Sequence, residues 1–176
     1  NRQQQGGDGV WLDLPTTTEQ VQAALRQIGI SSDNPQNLFI SGYFAEEEKR
    51  FAIPYNMVLA SNVDELNFLA ARLETLSAGE RAELNAALQA PQSELSSIGR
   101  ITDFPENVDY YVHLPDVRGP AQLGDYYLNR SGMVDMPEEW KGGIDTAQFG
   151  RYVAQQEQGA FTQYGYLVKS GDEWQK

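Results

Sequence analysis

Leucines between residues 62 and 90 recur every three or four positions, the spacing of one face of an α-helix. Ser77 interrupts the series and is followed three residues later by Glu80, the capping-box arrangement that starts a new helix. The pattern therefore predicts two helices in a hairpin. The leucines that carry it are Leu66, Leu69, Leu73, Leu76, Leu84 and Leu88.

The first 60 residues combine a helical pattern with two runs that are typical of strands. Three threonines at residues 16–18 begin overlapping capping boxes, an apolar stripe follows them, and Gly29 is the expected end of the helix. Apolar and aromatic residues at 38–44 and 51–59 predict two strands joined by a charged turn at 46–50. This part of the chain is therefore predicted to be an α+β lobe.

The last third of the chain alternates between strand-like and helical patterns. Residues 100–104 and 108–113 predict two short strands joined by a turn. One helix is predicted at 121–129 and another begins at a cap on Asp145. The aromatic run at 161–168 predicts a closing strand. These elements again indicate an α+β lobe.

The sequence contains no internal repeat, and no long linker separates these parts of the chain. The sequence predicts an α+β fold, built as an elongated chain of three small lobes. The lobes cover residues 10–60 (α+β), 61–99 (helical) and 100–170 (acidic α+β), after a polar segment at 1–9 that is expected to be disordered. With no cysteine and no apolar run near the roughly 20 residues of a membrane span, a cytoplasmic location is expected.

Acidic residues outnumber basic residues by 25 to 13, which gives a formal net charge of -12. DNA binding depends on Lys and Arg replacing phosphate counterions, so this balance argues against nucleic acid as a ligand. Half of the net charge lies in residues 103–145, where nine acids accompany three bases. These candidate partner-binding carboxylates are Asp103, Glu106, Asp109, Asp116, Asp125, Asp135, Glu138, Glu139 and Asp145.

Few residues in the chain support catalysis. His113 is the single histidine, and a half-exposed position in a strand explains it without a catalytic role. The sequence has no nucleophile elbow, phosphate-binding loop or EF-hand pattern, so no catalytic residue, metal or cofactor is predicted. A carboxylate-based hydrolase stays as a third hypothesis. Its acid and base would be Glu138 with Glu139, or Asp109 with Asp116.

The acids of residues 103–145 are scattered among predicted turns and helix starts. A folded surface with spaced negative charge resembles duplex DNA, which carries roughly one charge per 1.7 Å of axis. At that density the net charge of -12 corresponds to about 20 Å of duplex, and a symmetric dimer would double it. The alternative is that these acids only cap helices and solvate the surface, as we expect of Asp145.

An ordered series of short segments runs through the chain. In the last third these are 122–127 (QLGDYY), 134–137 (VDMP), 144–145 (ID), 149–152 (FGRY) and 161–166 (FTQYGY). Upstream they are 11–15 (WLDLP), 39–43 (FISGY) and 63–67 (VDELN). Their order and spacing resemble the ArdA family of antirestriction proteins, which are encoded by plasmids, conjugative transposons and phages. The resemblance covers about residues 10–168.

This resemblance implies an acidic homodimer that mimics bent B-form DNA. Such a protein occupies the DNA-binding groove of Type I restriction-modification enzymes and inhibits them without catalysing a reaction. Residues 128–145 correspond to the family's antirestriction region, whose acids would face the enzyme. The candidates for packing or dimer contacts there are Met133, Val134, Met136 and Trp140.

A second function stays open beside the first. The chain could be an acidic protein-interaction module of a mobile element, without antirestriction activity. That hypothesis predicts partner binding that is insensitive to salt and uses aromatic and apolar side chains such as Tyr127, Met133 and Trp140.

Overall fold

The structure is a computed structural model that describes residues 9–30, 38–47, 50–91 and 93–175. The segment 1–9 that was expected to be disordered lies outside these residues except for Gly9. Glu48 and Lys49 of the predicted charged turn also lie outside them. The described residues confirm the α+β class, because they combine α-helices with one antiparallel sheet of three strands. None of their helices is both long and apolar enough to cross a membrane.

The helices and strands follow one another through the whole described chain. The helices are α1 (Thr18–Gln27), α2 (Tyr55–Leu59), α3 (Val63–Glu74), α4 (Ala78–Gln89), α5 (Ile98–Thr102), α6 (Pro120–Asp125), α7 (Glu138–Lys141) and α8 (Thr146–Glu157). The strands are β1 (Tyr111–Leu114), β2 (Ala160–Thr162) and β3 (Gly165–Lys169). Two 3-10 turns (Phe104–Glu106 and Val108–Tyr110) precede β1, and a π-helical turn (Tyr126–Arg130) continues α6.

Contacts divide the chain into two compact units. The first unit comprises Asn1–Leu76 with Ser96–Thr102, and the second comprises Ser77–Leu95 with Asp103–Lys176. The division into three lobes at residues 10–60, 61–99 and 100–170 stays a prediction.

Helix α1 begins where the threonines predict it. The Thr17 Oγ1 accepts a hydrogen bond from the Gln20 backbone N–H at 3.4 Å, and the Gln20 Oε1 accepts one from the Thr17 N–H at 3.1 Å. Gly29, just past the helix, has φ +74°, the left-handed conformation that commonly ends a helix. The first predicted helix is therefore confirmed at both ends.

Both helices predicted between residues 62 and 90 are confirmed as α3 and α4. Helix α3 buries Leu66, Leu69 and Leu73 along one face and packs against α5 in the first unit. The N-cap of α4 is Ser77, whose backbone N–H donates to the Glu80 carboxylate at 2.7 Å. Leucine spacing and the capping box were therefore sufficient to locate these two helices.

The predicted strands at 38–44 and 51–59 are wrong. Residues 38–44 hold no strand, residues 51–54 hold none either, and 55–59 form helix α2. Helix α2 follows Pro54 and buries one apolar residue, Val58. A short apolar run is compatible with a helical turn as well as with a strand. Which of the two forms depends on which side chains the fold buries. The described residues of the predicted first lobe therefore contain helices α1 and α2 and irregular segments, without a strand.

The predicted strand at 100–104 is also wrong, because most of it lies in α5. Ile98 and Ile101, three residues apart, are both buried, which is a helical spacing. The Ser97 hydroxyl accepts a hydrogen bond from the Arg100 N–H at 3.3 Å at the start of the helix. Thr102 donates its hydroxyl to the Ile98 carbonyl at 2.8 Å. The serine before the apolar run was the signal for a helix.

The sheet of the second unit has the strand order β1-β3-β2, and both pairs are antiparallel. The predicted single strand at 161–168 is instead the hairpin of β2 and β3. Thr162 pairs with Gly165 beside the two-residue turn, and Gly165 has φ +128°, which favours glycine. The predicted strand at 108–113 is a 3-10 turn followed by β1.

A buried cluster of Val117, Leu123, Ala154 and Tyr166 forms the core between these strands and helices of the second unit. It confirms the two predicted helices of this region, which are α6 with its π-helical turn and α8. Burying these apolar side chains contributes roughly 25 cal/mol per Å² of surface removed from water. The core thus fixes both helices between which the acidic segment runs.

Candidate partner-binding surface

All nine candidate acids lie in the second unit. Asp103, Glu106 and Asp109 occur at the two 3-10 turns, and Asp116 follows β1. Asp125 ends α6, and the remaining four lie between the π-helical turn and the start of α8. Asp103 and Asp125 are half-buried, and the other seven are exposed. The elements therefore present most of these carboxylates to solvent.

Asp125 and Glu138 have basic partners on the surface. Asp125 accepts from the Arg130 Nη2 at 2.6 Å and from the Asn129 amide at 2.8 Å, and these hydrogen bonds lower the pKa of Asp125. Glu138 accepts from the Lys141 Nζ at 2.6 Å. Exposed pairs of this kind contribute about 1 kcal/mol or less, so a stronger cationic partner can replace them.

Asp145 is the N-cap of α8. One of its carboxylate oxygens accepts the Gln148 backbone N–H at 2.9 Å, as the sequence predicts. A negative charge at a helix N-terminus is favourable, because the backbone N–H groups there carry partial positive charge. This acid therefore has a structural role whether or not it also contacts a partner.

Asp116, Asp135 and Glu139 form no ion pair or side-chain hydrogen bond within the described part of the chain. All three are exposed. An exposed carboxylate without an internal partner can accept hydrogen bonds from an approaching Lys or Arg. These three acids are the strongest candidates for direct contact with a cationic surface.

Residues 131–144, which we call the presenting segment, carry exposed apolar side chains among the acids. Met133 is 74% exposed and Trp140 is 66% exposed, whereas Val134 and Met136 are half-buried. The segment has no regular structure apart from α7. Large exposed apolar residues beside acids are typical of a surface that contacts another protein.

The Tyr127 ring is less available than the sequence suggested. Its hydroxyl donates a hydrogen bond to the Glu157 Oε1, and the Tyr166 hydroxyl donates to the Glu157 Oε2 at 2.9 Å. Burial, together with the adjacent carboxylate, raises the pKa of both tyrosines above the ordinary value. Sequence reasoning did not select Glu157, because its partners lie 30 and 9 residues away along the chain.

Glu83 on α4 is a second carboxyl that the sequence did not single out. Its Oε1 is buried and has no hydrogen-bond partner among the described residues. Burial raises the pKa of Glu83 to about 7, with further contributions from the negative charges of Glu80 and Asp109. An acid beside apolar residues on a helix gives no signal in the sequence that it will be buried.

His113 makes a structural contact in the second unit. His113 Nε2 lies 2.9 Å from the Tyr164 carbonyl oxygen, so the ring nitrogen donates to the backbone and joins β1 to the hairpin turn. No group of three or more Asp, Glu or His side chains within the described ranges is placed to hold a metal ion. What the second unit displays is a negatively charged surface with exposed apolar residues.

Comparisons with known proteins give the chain a family. No curated protein matches the sequence. A family model described as antirestriction protein (ArdA) matches residues 7–168, which includes all nine candidate acids and the presenting segment. The match covers α3 and α4 in the middle of the chain and the β2–β3 hairpin except for Lys169. The chain therefore belongs to the ArdA family of antirestriction proteins.

Proposed function

We propose that this antirestriction protein acts as a mimic of B-form DNA and occupies the DNA-binding groove of Type I restriction-modification enzymes. It acts in the cytoplasm by binding alone, without a cofactor and without binding nucleic acid itself. The observation that carries the proposal is the exposure of seven of the nine acids in residues 103–145. A DNA-binding groove is lined with Lys and Arg, and exposed carboxylates are their natural partners.

The distribution of charge supports this part of the chain as the contact region. Residues 103–145 carry a net charge of -6, and residues 1–102 carry the same net charge over more than twice the length. Residues 146–176 are neutral, with three acids and three bases. Because the phosphates of DNA are closely spaced, the part of the chain with the highest density of negative charge is the best candidate to compete with them.

Displacement of labelled DNA from a Type I enzyme tests the proposal. We compare the wild-type protein with Asp135→Asn/Glu139→Gln, which removes two exposed charges from the presenting segment. We expect this variant to need about three- to tenfold more protein for half displacement at low salt, because each surface contact contributes up to about 1 kcal/mol. Raising the salt concentration should weaken displacement by the wild-type protein, because exposed charges are screened.

The matched control is Asp13→Asn/Glu74→Gln, which changes the net charge equally at two exposed acids of the first unit. We expect it to stay within about twofold of the wild-type protein, since neither charge belongs to the proposed contact surface. The proposal fails if the wild-type protein displaces no DNA at low salt. Equal losses in both double variants would show that total charge, and not this surface, is responsible.

The exposure of Met133 and Trp140 favours a second candidate function. An acidic interaction module that binds its partner through these side chains would bind through apolar burial, which salt does not weaken. Substitution of Met133 and Trp140 by serine would then abolish binding, while Asp135→Asn/Glu139→Gln would leave it unchanged. DNA mimicry predicts instead that Asp135→Asn/Glu139→Gln loses more binding than the serine variant.

A further inference from the structure

Glu157 holds two tyrosine hydroxyls at the end of α8. Tyr127 donates to one of its carboxylate oxygens, and Tyr166 donates to the other at 2.9 Å. Tyr166 is fully buried in the core, and Tyr127 is half-buried against it. Through these two hydrogen bonds, Glu157 joins the π-helical turn to the β2–β3 hairpin.

Tyr127 connects this carboxylate to the start of the presenting segment. Tyr127 lies in the π-helical turn, whose end is marked by the hydrogen bond from the Ser131 N–H to the Tyr126 carbonyl at 2.8 Å. The Ser131 hydroxyl donates to the Tyr127 carbonyl at 2.9 Å and accepts the Met133 N–H at 3.1 Å. A continuous series of hydrogen bonds therefore runs from Glu157 to Met133.

We propose that Glu157 is a positioning residue for inhibition: through Tyr127 and Ser131, it fixes the path on which the presenting segment leaves the helix. The proposal rests on the function proposed above, since it concerns how that surface is held in place. Glu157 itself is half-buried and its two oxygens are engaged by phenols, so its charge is not displayed to the partner.

The physical reason is the conformational cost of binding. Residues 131–137 have no helix or strand of their own, so their geometry depends on the anchors at their two ends. A segment that is already ordered loses less conformational entropy when a partner binds. At the far end the Asp145 cap supplies the anchor, and at the near end the Glu157–Tyr127 hydrogen bond supplies it.

Two pairs of variants separate positioning from charge and from general stability. Glu157→Gln keeps an acceptor and a donor for the two phenols, whereas Glu157→Ala keeps neither. Tyr127→Phe removes the hydroxyl on the π-helical turn, whereas Tyr166→Phe removes the hydroxyl on the hairpin, which lies deeper in the core. Tyr166→Phe should therefore reduce the stability of the fold at least as much as Tyr127→Phe does.

The experiment measures displacement of DNA from a Type I enzyme and hydrogen exchange of the free protein at the Ser131 and Met133 amides. We expect Glu157→Ala and Tyr127→Phe to weaken displacement about tenfold and to accelerate exchange at both amides. Glu157→Gln and Tyr166→Phe should stay within about twofold of the wild-type protein in both measurements.

Three results would overturn the positioning role. The first is an equal loss of displacement in Glu157→Gln and Glu157→Ala, which would mean that the charge of Glu157 acts directly. The second is an equal effect of Tyr166→Phe and Tyr127→Phe on displacement and on exchange, which would indicate a general loss of stability. The third is unchanged hydrogen exchange at the Ser131 and Met133 amides in Tyr127→Phe, which would mean that the Tyr127 hydroxyl does not order the presenting segment. If the wild-type protein displaces no DNA, the proposed function fails, and hydrogen exchange still decides whether Glu157 orders the segment.

Discussion

At the scale of single residues, Glu83 is a carboxyl group whose burial opposes its ionisation. Its folded pKa is about 7 against a reference value of 4.5, so the folded protein binds this proton more tightly than the unfolded chain does. The stability that this proton contributes is fully present below about pH 4.5 and is lost as the pH rises to about 7. The ionised carboxylate then keeps a buried oxygen without a hydrogen bond.

We therefore predict that Glu83→Gln stabilises the protein at pH 8 but not at pH 5. The expected gain in the free energy of unfolding at pH 8 is on the order of 1 kcal/mol, because partial exposure of the side chain screens the effect. Urea unfolding at the two pH values measures it. Glu74→Gln, an exposed acid on α3, is the control and should show the same difference from wild type at both pH values.

At the scale of elements, the contact between α6 and α8 depends on two glycines. A Cβ added at Gly150 would lie 1.8 Å from the Pro120 carbonyl oxygen, and one added at Gly124 would lie 1.9 Å from the Thr146 carbonyl oxygen. Both neighbours are backbone atoms, so the helices must separate to accept a methyl group. These two helices flank the presenting segment, and their separation would move both of its ends.

We predict that Gly150→Ala destabilises the protein by about 1–3 kcal/mol, the usual cost of overpacking a close contact. Gly79→Ala on α4 is the matched control, because a Cβ there meets no atom within 4 Å. The control should be neutral or should stabilise the protein by about 0.5 kcal/mol, because alanine lowers the conformational entropy of the unfolded chain. Thermal and urea unfolding compare them, and a Gly150→Ala variant as stable as the control would contradict the close contact.

Elements that carry their own local signals could be predicted from the sequence. Thr17, Ser77 and Asp145 each mark a helix start that the structure confirms. Helices α2 and α5 overlap the strands predicted at 51–59 and 100–104, because a helix of five residues is too short to show a period that distinguishes it from a strand. The Glu157 network could not be predicted at all, since contacts between distant parts of a chain leave no local pattern. The partner-facing role of the nine acids stays a prediction.

At the scale of the whole molecule, the proposed inhibitor needs more charge than one chain supplies. A net charge of -12 matches only about 20 Å of duplex, whereas two copies would match about 40 Å. We propose a homodimer whose contact includes Met133 and Trp140, the exposed apolar residues of the presenting segment. Apolar burial would then hold together two chains whose like charges repel.

The homodimer predicts opposite salt effects on assembly and on inhibition. Salt screens the repulsion between the two acidic chains, so the dimer should become more stable as salt rises, whereas displacement of DNA from the enzyme should become weaker. Light scattering across protein concentrations measures the assembly. Met133→Ser/Trp140→Ser should yield a monomer, because it removes the apolar area that offsets the repulsion. Phe68→Ser, at a side chain of the first unit that is 62% exposed, is the control and should remain dimeric. A wild-type protein that is monomeric at every salt and protein concentration would refute the dimer and leave a single chain to supply all of the mimicry.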